Sequence, residues 1–305
     1  MNNDLTLPSF LVIGAAKSST TTIFHYLCKH PKFYNPFKDA NYEGELNPKE
    51  PNFFSRDELY KKGISYYSMM FSQAKPDQIC GEATTDYTKY PLYPHTAERI
   101  SKHLPNVKLI YIMRHPVDRA YSYYVHRNRT DPSLKFQKTF EEFIEEYPEI
   151  LDASDYMLQI NRYLKYFPKE SFLFLTMEDL TDNPQITMTQ VFNFIDIGDI
   201  HNIDYNEKII ANNAKKQLED SYRSEITSLF RKIPGMKIIK NYIPTNIKDG
   251  IYNILRKTTH GKNIKKHYTP IKMRPETREK LIKRFEIPNK ELSEFLNRDL
   301  SHWSK

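Results

Sequence analysis

A short apolar run that ends at a glycine and leads into consecutive hydroxyl residues constrains the fold more than any other feature. Residues 10–13 are all apolar, include branched side chains and are followed by Gly14, which is typical of a buried parallel strand. Residues 20–29 follow with apolar side chains at helical spacing, and Pro31 ends that pattern. A strand, a polar loop and a helix in this order predict the first unit of an α/β fold.

The same alternation continues along the chain. Apolar runs predict further strands at residues 78–81, 107–113 and 171–175. Helical patterns separate and follow them, at residues 97–104, from Pro116 onward, and at 140–146, 156–167, 184–195, 277–285 and 290–296. Strands alternating with helices predict a central parallel sheet flanked by helices on both faces, with a helical C-terminal portion.

Composition sets the limits on domain organisation and compartment. The chain has 305 residues, 39% of them hydrophobic, which is enough for one α/β domain with additional helices. We therefore expect a single domain over residues 1–305, in which residues 207–270 form a helix and loop region that covers the active site. The start of the chain shows no signal-peptide pattern and no window is apolar enough to span a membrane, so we expect a cytoplasmic protein.

Charge and cysteine content narrow the ligand classes. The formal net charge of +7 suits an anionic ligand. Two cysteines, Cys28 and Cys80, are too few for a disulfide framework or a four-cysteine zinc site. No H-x-E or H-x-x-x-H spacing of metal ligands is present. We therefore expect an anionic ligand held without a metal.

The loop after the first strand has the residues of a phosphate site. Lys17 lies in the turn, and five hydroxyl residues then enter the helix: Ser18, Ser19, Thr20, Thr21 and Thr22. A helix N-terminus presents N–H groups and a partial positive charge to an anion, while lysine and hydroxyl side chains add further donors. Capping the helix requires one such residue, so five hydroxyls with a lysine favour anion binding over capping alone.

The order of residues differs from the Walker pattern of ATP-binding proteins. That pattern places lysine after a second glycine and before one Ser or Thr, whereas no glycine directly precedes Lys17. A kinase or ATPase would also need a magnesium-binding aspartate at a strand end. The strand at 107–113 is followed by Arg114 instead, which suits direct phosphate binding.

Two segments resemble motifs of one known family. Residues 17–22 after an apolar strand are similar to the 5′-phosphosulfate loop of sulfotransferases that use 3′-phosphoadenylyl sulfate (PAPS). Arg114 at a strand end, with Ser122 about two helical turns into the next helix, resembles the 3′-phosphate clamp of that family. The resemblance implies a P-loop-like α/β fold, with Lys17 at the bridging oxygen and the departing phosphate.

The resemblance extends from residue 10 to residue 303 and supplies further site residues. Residues 49–54 (KEPNFF) resemble a segment of the heparan-sulfate-type branch in which the matching glutamate, here Glu50, is the general base. Glu82 is a second candidate because it follows a short predicted strand. The basic loop over the 3′-phosphate is best matched by residues 261–266, through Lys262, Asn263 and Lys265. The sequence departs from the family's usual residues at three places. Ser18 and Ser19 stand where glycine is common, Asn52 stands where histidine is common, and Ala83 stands where lysine is common.

The resemblance implies a function with several open points. It implies sulfuryl transfer from PAPS to an acceptor hydroxyl, with PAP as product and no metal required. The acceptor would be a small molecule or a glycan, such as a carbohydrate hydroxyl, and no nucleic-acid partner is expected. Two alternatives remain at this stage: a P-loop nucleotide-dependent kinase, and a non-catalytic module that binds polyanions. The sequence leaves the acceptor and the oligomeric state open.

Overall fold

A computed structural model describes residues 5–38, 46–131, 133–198, 203–205, 214–231, 250 and 252–305. The strands are β1 (Phe10–Gly14), β2 (Gly81–Glu82), β3 (Lys108–Met113) and β4 (Phe172–Thr176). The helices before β3 are α1 (Thr20–Leu27), α2 (Asp57–Tyr60), α3 (Ile64–Ser68) and α4 (Thr96–His103). Between β3 and β4 lie α5 (Pro116–Thr130), α6 (Phe140–Glu146), α7 (Glu149–Asp152) and α8 (Tyr156–Tyr163). After β4 come α9 (Met177–Asp182), α10 (Pro184–Phe194), α11 (Ala214–Arg231), α12 (Thr259–Lys266) and α13 (Pro275–Leu296).

The four strands form one parallel sheet in the order β2-β1-β3-β4. β1 pairs with β3 from Phe10 opposite Lys108, and β3 pairs with β4 from Leu109 opposite Phe172. Parallel strands need crossover connections, and the helices between them supply these. The predicted α/β fold with a central parallel sheet is therefore confirmed.

Both faces of the sheet are covered because successive side chains of a strand point to opposite faces. On one face Phe10 contacts Phe33, which contacts Phe24 of α1 edge-on at 5.7 Å. On the other face Tyr111 of β3 contacts Tyr156 of α8 at 5.9 Å. All five residues of β1 are buried, as expected for a central parallel strand.

The strand predicted at residues 78–81 is short and displaced. β2 contains Gly81 and Glu82 alone, while Ile79 forms an isolated bridge with Phe33. Gly81 fits this position because a Cβ atom there would lie 2.2 Å from the ring of Phe10. Gln78 and Ile79 are half-buried, whereas Cys80 is buried and its carbonyl accepts from the Ser9 amide just before β1.

Residues 277–285 and 290–296 are helical, as predicted, but the predicted break between them is wrong. Both stretches belong to α13, one helix from Pro275 to Leu296 with Pro288 inside it. A proline inside a helix removes a backbone hydrogen bond and crowds the preceding turn, which is why the sequence pattern suggested a break. The buried stripe nevertheless continues across it: Leu281, Phe285, Asn289 and Leu292. Burial of this stripe offsets the local cost of the proline.

The chain folds into two compact units. The first unit contains Met1–Ala120, Tyr147–Lys208 and Arg278–Lys305, and it holds the whole sheet. The second unit contains Tyr121–Glu146 and Ile209–Thr277. The single-domain prediction over residues 1–305 stays a prediction, and much of the 207–270 region lies outside the described residues. Within the described part of the chain, no helix is long and apolar enough to cross a membrane.

Candidate active site

The loop after β1 begins with a close approach between the end of the strand and the side chain of Thr88. Thr88 donates a hydrogen bond from Oγ1 to the carbonyl of Ile13 at 3.0 Å. A Cβ atom on Gly14 would lie 2.0 Å from that same Oγ1. Any side chain at residue 14 would therefore displace Thr88, so glycine is required where the chain leaves the strand.

Left-handed backbone conformations shape the rest of the loop. Lys17 has φ 72° and Ser19 has φ 68°. The Ser18 amide donates to the Ala15 carbonyl at 3.1 Å, and the Thr22 and Ile23 amides both donate to the Ser19 carbonyl. Alternating left-handed residues turn successive N–H groups toward one side and form a concave anion site. The loop residues therefore fit a bound phosphate.

The hydroxyl run divides into buried and accessible members. Ser18 and Thr20 are buried, whereas Ser19, Thr21 and Thr22 are partly exposed at the start of α1. Ser19 is the N-cap residue of α1, yet within the described residues its side chain makes no capping hydrogen bond. Capping therefore does not account for this hydroxyl, which leaves it available to a ligand.

The parallel pairing of β1 and β3 brings Arg114 to this loop. Arg114 follows β3 directly, and its Nη1 lies 3.5 Å from the Lys17 carbonyl. The Tyr156 hydroxyl donates to the Arg114 carbonyl at 2.6 Å and accepts from the Arg114 amide at 3.2 Å. The structure thus brings together Lys17 and Arg114, which lie 97 positions apart in the sequence and were predicted to bind the same nucleotide.

Arg119 is a residue near the loop that sequence reasoning missed. It is only 1% exposed and donates from Nε to Ser154 Oγ at 2.6 Å and from Nη2 to the Ile150 carbonyl. Its Nη1 lies 3.5 Å from the carbonyl of Ala16 in the phosphate loop. The signal in the sequence was an arginine five residues after Arg114, in the first turn and a half of α5 between Val117 and Ala120.

Glu50, the predicted base, lies at the end of the sheet near β2. Its carboxylate pairs with Lys49 and accepts a hydrogen bond from Thr85 Oγ1 at 3.4 Å. Its side chain is 34% exposed, so the carboxylate is accessible to an acceptor. Thr85 opens the 3₁₀ helix Thr85–Thr88, which ends at the residue that contacts the phosphate loop. This short helix connects the predicted base to the predicted donor site.

Glu82 lies in a different environment. Its side chain is fully buried, and the Tyr67 hydroxyl donates to its Oε1 at 3.2 Å. Burial raises the pKa of Glu82 to about 7, although the hydrogen bond from Tyr67 opposes that rise. A carboxyl with no exposed surface is not accessible to an acceptor, which favours Glu50 as the base.

The remaining predicted residues belong to the second unit. Ser122 lies partly exposed in α5, a helix that begins in the first unit. Lys262, Asn263 and Lys265 are exposed, and they lie in α12. The expectation of a basic loop there is wrong, because Thr258 caps the helix by accepting from the Gly261 amide. Their part in nucleotide binding stays a prediction.

Metal binding was expected to be unnecessary. Among the residues that the structure describes, no group of three or more His, Cys, Asp or Glu side chains could hold a metal ion. Whether the reaction proceeds without a metal stays a prediction. The donors described above are cations, amides and hydroxyls, which are groups that bind phosphate oxygens directly.

Comparison with known proteins gives matches to one family across most of the chain. A family model described as a sulfotransferase domain matches residues 7–263. The human bifunctional heparan sulfate N-deacetylase/N-sulfotransferase 3 is 31% identical over 227 residues, which is 68% of this chain and 24% of that protein. The membrane-associated sulfotransferase kil1 of Dictyostelium discoideum is 34% identical over 158 residues, 49% of this chain and 30% of that protein. The chain therefore spans about a quarter to a third of the length of these relatives.

A solved sulfotransferase structure has a fold similar to that of this chain. The sulfotransferase from Alicyclobacillus acidocaldarius superposes with a TM-score of 0.64 at 22% sequence identity. The superposition covers 98% of this chain and 99% of that one. At this identity, the likeness establishes the fold alone.

Proposed function

Because the chain belongs to the sulfotransferase domain family, we propose that it transfers a sulfuryl group from PAPS to an acceptor and releases PAP. The observation that carries the proposal is the family match over residues 7–263, which includes the phosphate loop, Glu50, Arg114 and Ser122. In the reaction the bond between sulfur and the 5′-phosphate oxygen breaks, and a bond forms between sulfur and the acceptor atom. The acceptor loses one proton.

The donor nucleotide is assigned to the loop after β1 and the end of β3. Lys17 and the partly exposed hydroxyls of Ser19, Thr21 and Thr22 bind the 5′-phosphate, where they stabilise the negative charge that develops on the leaving group. Arg114 binds the 3′-phosphate, whereas the part of Ser122 stays a prediction. Arginine suits this role because its guanidinium presents two parallel donors to phosphate oxygens.

Glu50 is assigned as the general base that takes the acceptor proton. Its partial exposure and its hydrogen bond to Thr85 support this role. The ion pair with Lys49 holds the Glu50 carboxylate in place.

The acceptor is proposed to be a carbohydrate hydroxyl. A second candidate is a carbohydrate amino group, because the first relative is named as an N-sulfotransferase that acts on heparan sulfate. The family match argues against the nucleotide kinase and the polyanion-binding module that composition left open. A cytoplasmic location and a reaction without metal remain part of the proposal.

The first prediction tests the donor and the two catalytic residues. PAP should raise the melting temperature in a thermal-shift assay more than ATP with magnesium does. Transfer from labelled PAPS to heparan sulfate, to its N-deacetylated form and to simple sugars should identify the acceptor.

The two catalytic residues are tested by substitution. Lys17→Ala and Glu50→Gln should each lower kcat by roughly 100-fold or more, and Glu50→Gln should bind PAP normally. A response to ATP with magnesium and none to PAP would refute the proposal.

A further inference from the structure

A buried carboxyl lies below the segment that carries the predicted base. Glu82 is the last residue of β2, and its side chain has no exposed surface. Tyr67 of α3 donates to it at 3.2 Å and stacks on Phe53 at 4.7 Å between ring centroids. Phe53 and Phe54 directly follow residues 50–52. The carboxyl therefore contacts, through Tyr67, the aromatic pair at one end of the Glu50 segment.

The chain that follows Glu82 holds the other side of that segment. The Ala83 amide donates to the Lys49 carbonyl at 2.8 Å. The Asn52 amide donates to Thr84 Oγ1 at 3.3 Å, and Thr85 Oγ1 donates to Glu50 Oε2 at 3.4 Å. Three successive residues after Glu82 thus contact three residues on or beside Glu50.

The middle one of those three residues, Thr84, lies two positions after Glu82, just beyond the end of β2. Asn52, which donates to Thr84, has a left-handed backbone with φ 55°, a conformation that the surrounding contacts must maintain. A shift of Thr84 would therefore move the segment from Lys49 to Asn52.

We propose that Glu82 is a positioning residue for Glu50. Its buried carboxyl holds Tyr67, which stacks on Phe53, and the residues that follow Glu82 hold the Lys49–Asn52 segment, so that the Glu50 carboxylate faces the acceptor. The inference rests on the proposed role of Glu50 as base. It assigns to Glu82 an effect on the rate of proton removal and none on nucleotide binding.

The charge of Glu82 matters because Tyr67 donates to it. The Tyr67 hydroxyl donates to Oε1, and a carboxylate accepts this hydrogen bond more strongly than a neutral carboxyl does. The other titratable groups facing this cluster ionise at higher pH. Burial raises the pKa of Tyr67, Tyr87 and Tyr163 well above the ordinary range and that of Cys80 to about 12. Glu82 is therefore the member of this cluster that changes charge near neutral pH.

The second prediction compares Glu82→Gln with two tyrosine variants. Glu82→Gln keeps the shape and should lower kcat roughly 10-fold, with the affinity for PAP and the KM for PAPS unchanged. Tyr67→Phe removes one donor and should cause a smaller loss of kcat. Tyr60→Phe is the matched control, because Tyr60 also contacts Phe53 but bonds to His103. Its kcat should stay within about twofold of wild type.

Two readouts separate positioning from a general structural role. The ratio of wild-type kcat to that of Glu82→Gln should rise between pH 6 and pH 8, because the carboxylate form of Glu82 binds the Tyr67 hydroxyl more strongly than the neutral form does. Glu82→Gln should have no further effect in a Glu50→Gln background, since it acts through Glu50. The acceptor in both assays is the one with the highest turnover in the panel above.

Several results would overturn the inference. These are an unchanged kcat in Glu82→Gln, an equal loss in both backgrounds, or a loss of PAP affinity. Full activity of Glu50→Gln would overturn it as well, because Glu50 would not be the base. Failure of the proposed function is distinguishable, since it would appear in the wild-type protein as the absence of transfer from PAPS.

Discussion

Ser19 has a left-handed backbone at the start of α1, with φ 68° and ψ 22°. This conformation is costly for a residue with a Cβ atom, and the resemblance places a glycine at or next to this position. The protein retains a serine although its side chain forms no cap in the described residues. A ligand contact of the hydroxyl would explain why the strained residue is a serine.

The third prediction separates the backbone strain at Ser19 from the ligand contact of its hydroxyl. Ser19→Gly should increase the free energy of unfolding by about 1 kcal/mol, because it relieves the left-handed strain. The same change should weaken PAP binding roughly tenfold through loss of a hydrogen bond to a charged group. Chemical denaturation and calorimetric titration measure the two quantities.

Asn297→Gly is the control for Ser19→Gly. Asn297 also has a left-handed backbone, with φ 50°, and lies just after α13. Asparagine tolerates this conformation better than serine, so the stability gain should be smaller, and PAP affinity should not change. Unchanged PAP affinity in Ser19→Gly would exclude a ligand role for the hydroxyl.

At the scale of elements, hydrophobic patterns predicted the strands and helices better than the breaks between them. β3 and β4 were predicted within one residue at each end, because a continuous apolar run has one stable place in a parallel sheet. α13 was split in the prediction because proline usually ends a helix. Packing of Phe285 and Leu292 into the core decided otherwise, and that packing depends on residues far away in sequence.

The fourth prediction concerns Pro288 in α13. Pro288→Ala restores a backbone hydrogen bond within the helix, and it should increase the free energy of unfolding by about 1–3 kcal/mol. Pro275→Ala is the matched control, because Pro275 is the first residue of the same helix, where proline is well tolerated. Denaturant unfolding that shows no larger gain for Pro288→Ala than for Pro275→Ala would contradict a continuous helix.

At the scale of the whole molecule, the stability of the first unit depends on a carboxyl in its core. The pKa of Glu82 rises from an ordinary value of 4.5 to about 7, chiefly by burial. The folded protein therefore binds more protons than the unfolded chain between these two pH values. The free energy of unfolding contributed by Glu82 is fully present below about pH 4.5 and falls as the pH rises to about 7.

The fifth prediction follows from this fall in the free energy of unfolding as the pH rises. A pKa rise from 4.5 to about 7 corresponds to about 3 kcal/mol lost between the two pH limits. Glu82→Gln lacks the titrating carboxyl. The free energy of unfolding of this variant should therefore increase relative to that of the wild-type protein as the pH is raised from 5 to 8. Unfolding by urea at several pH values measures the difference. A difference that does not vary with pH would show that Glu82 keeps its ordinary pKa in the folded protein.

Much of the site could be predicted because its residues follow strand ends. Gly14, Lys17 and Arg114 belong to local patterns that sequence displays, and parallel pairing necessarily places successive strand ends at one edge. Arg119 could not be assigned in this way, because its contacts are to Ala16, Ser154 and Ile150, which only the fold brings together. Glu82 was identified as a candidate base, but its burial was not apparent from the sequence.

The sequence by itself determined the α/β class, the strand-loop-helix that holds Lys17, and the arginine after β3. These are short-range properties, set by the period of apolar residues and by the order of residues in one turn. The tertiary structure decided which carboxyl is accessible: Glu50 is partly exposed, whereas Glu82 is enclosed by Tyr67 and the aromatic core. The accessibility of a side chain depends on all the residues that pack around it. Many of these residues are far away in sequence, so no local sequence pattern specifies it.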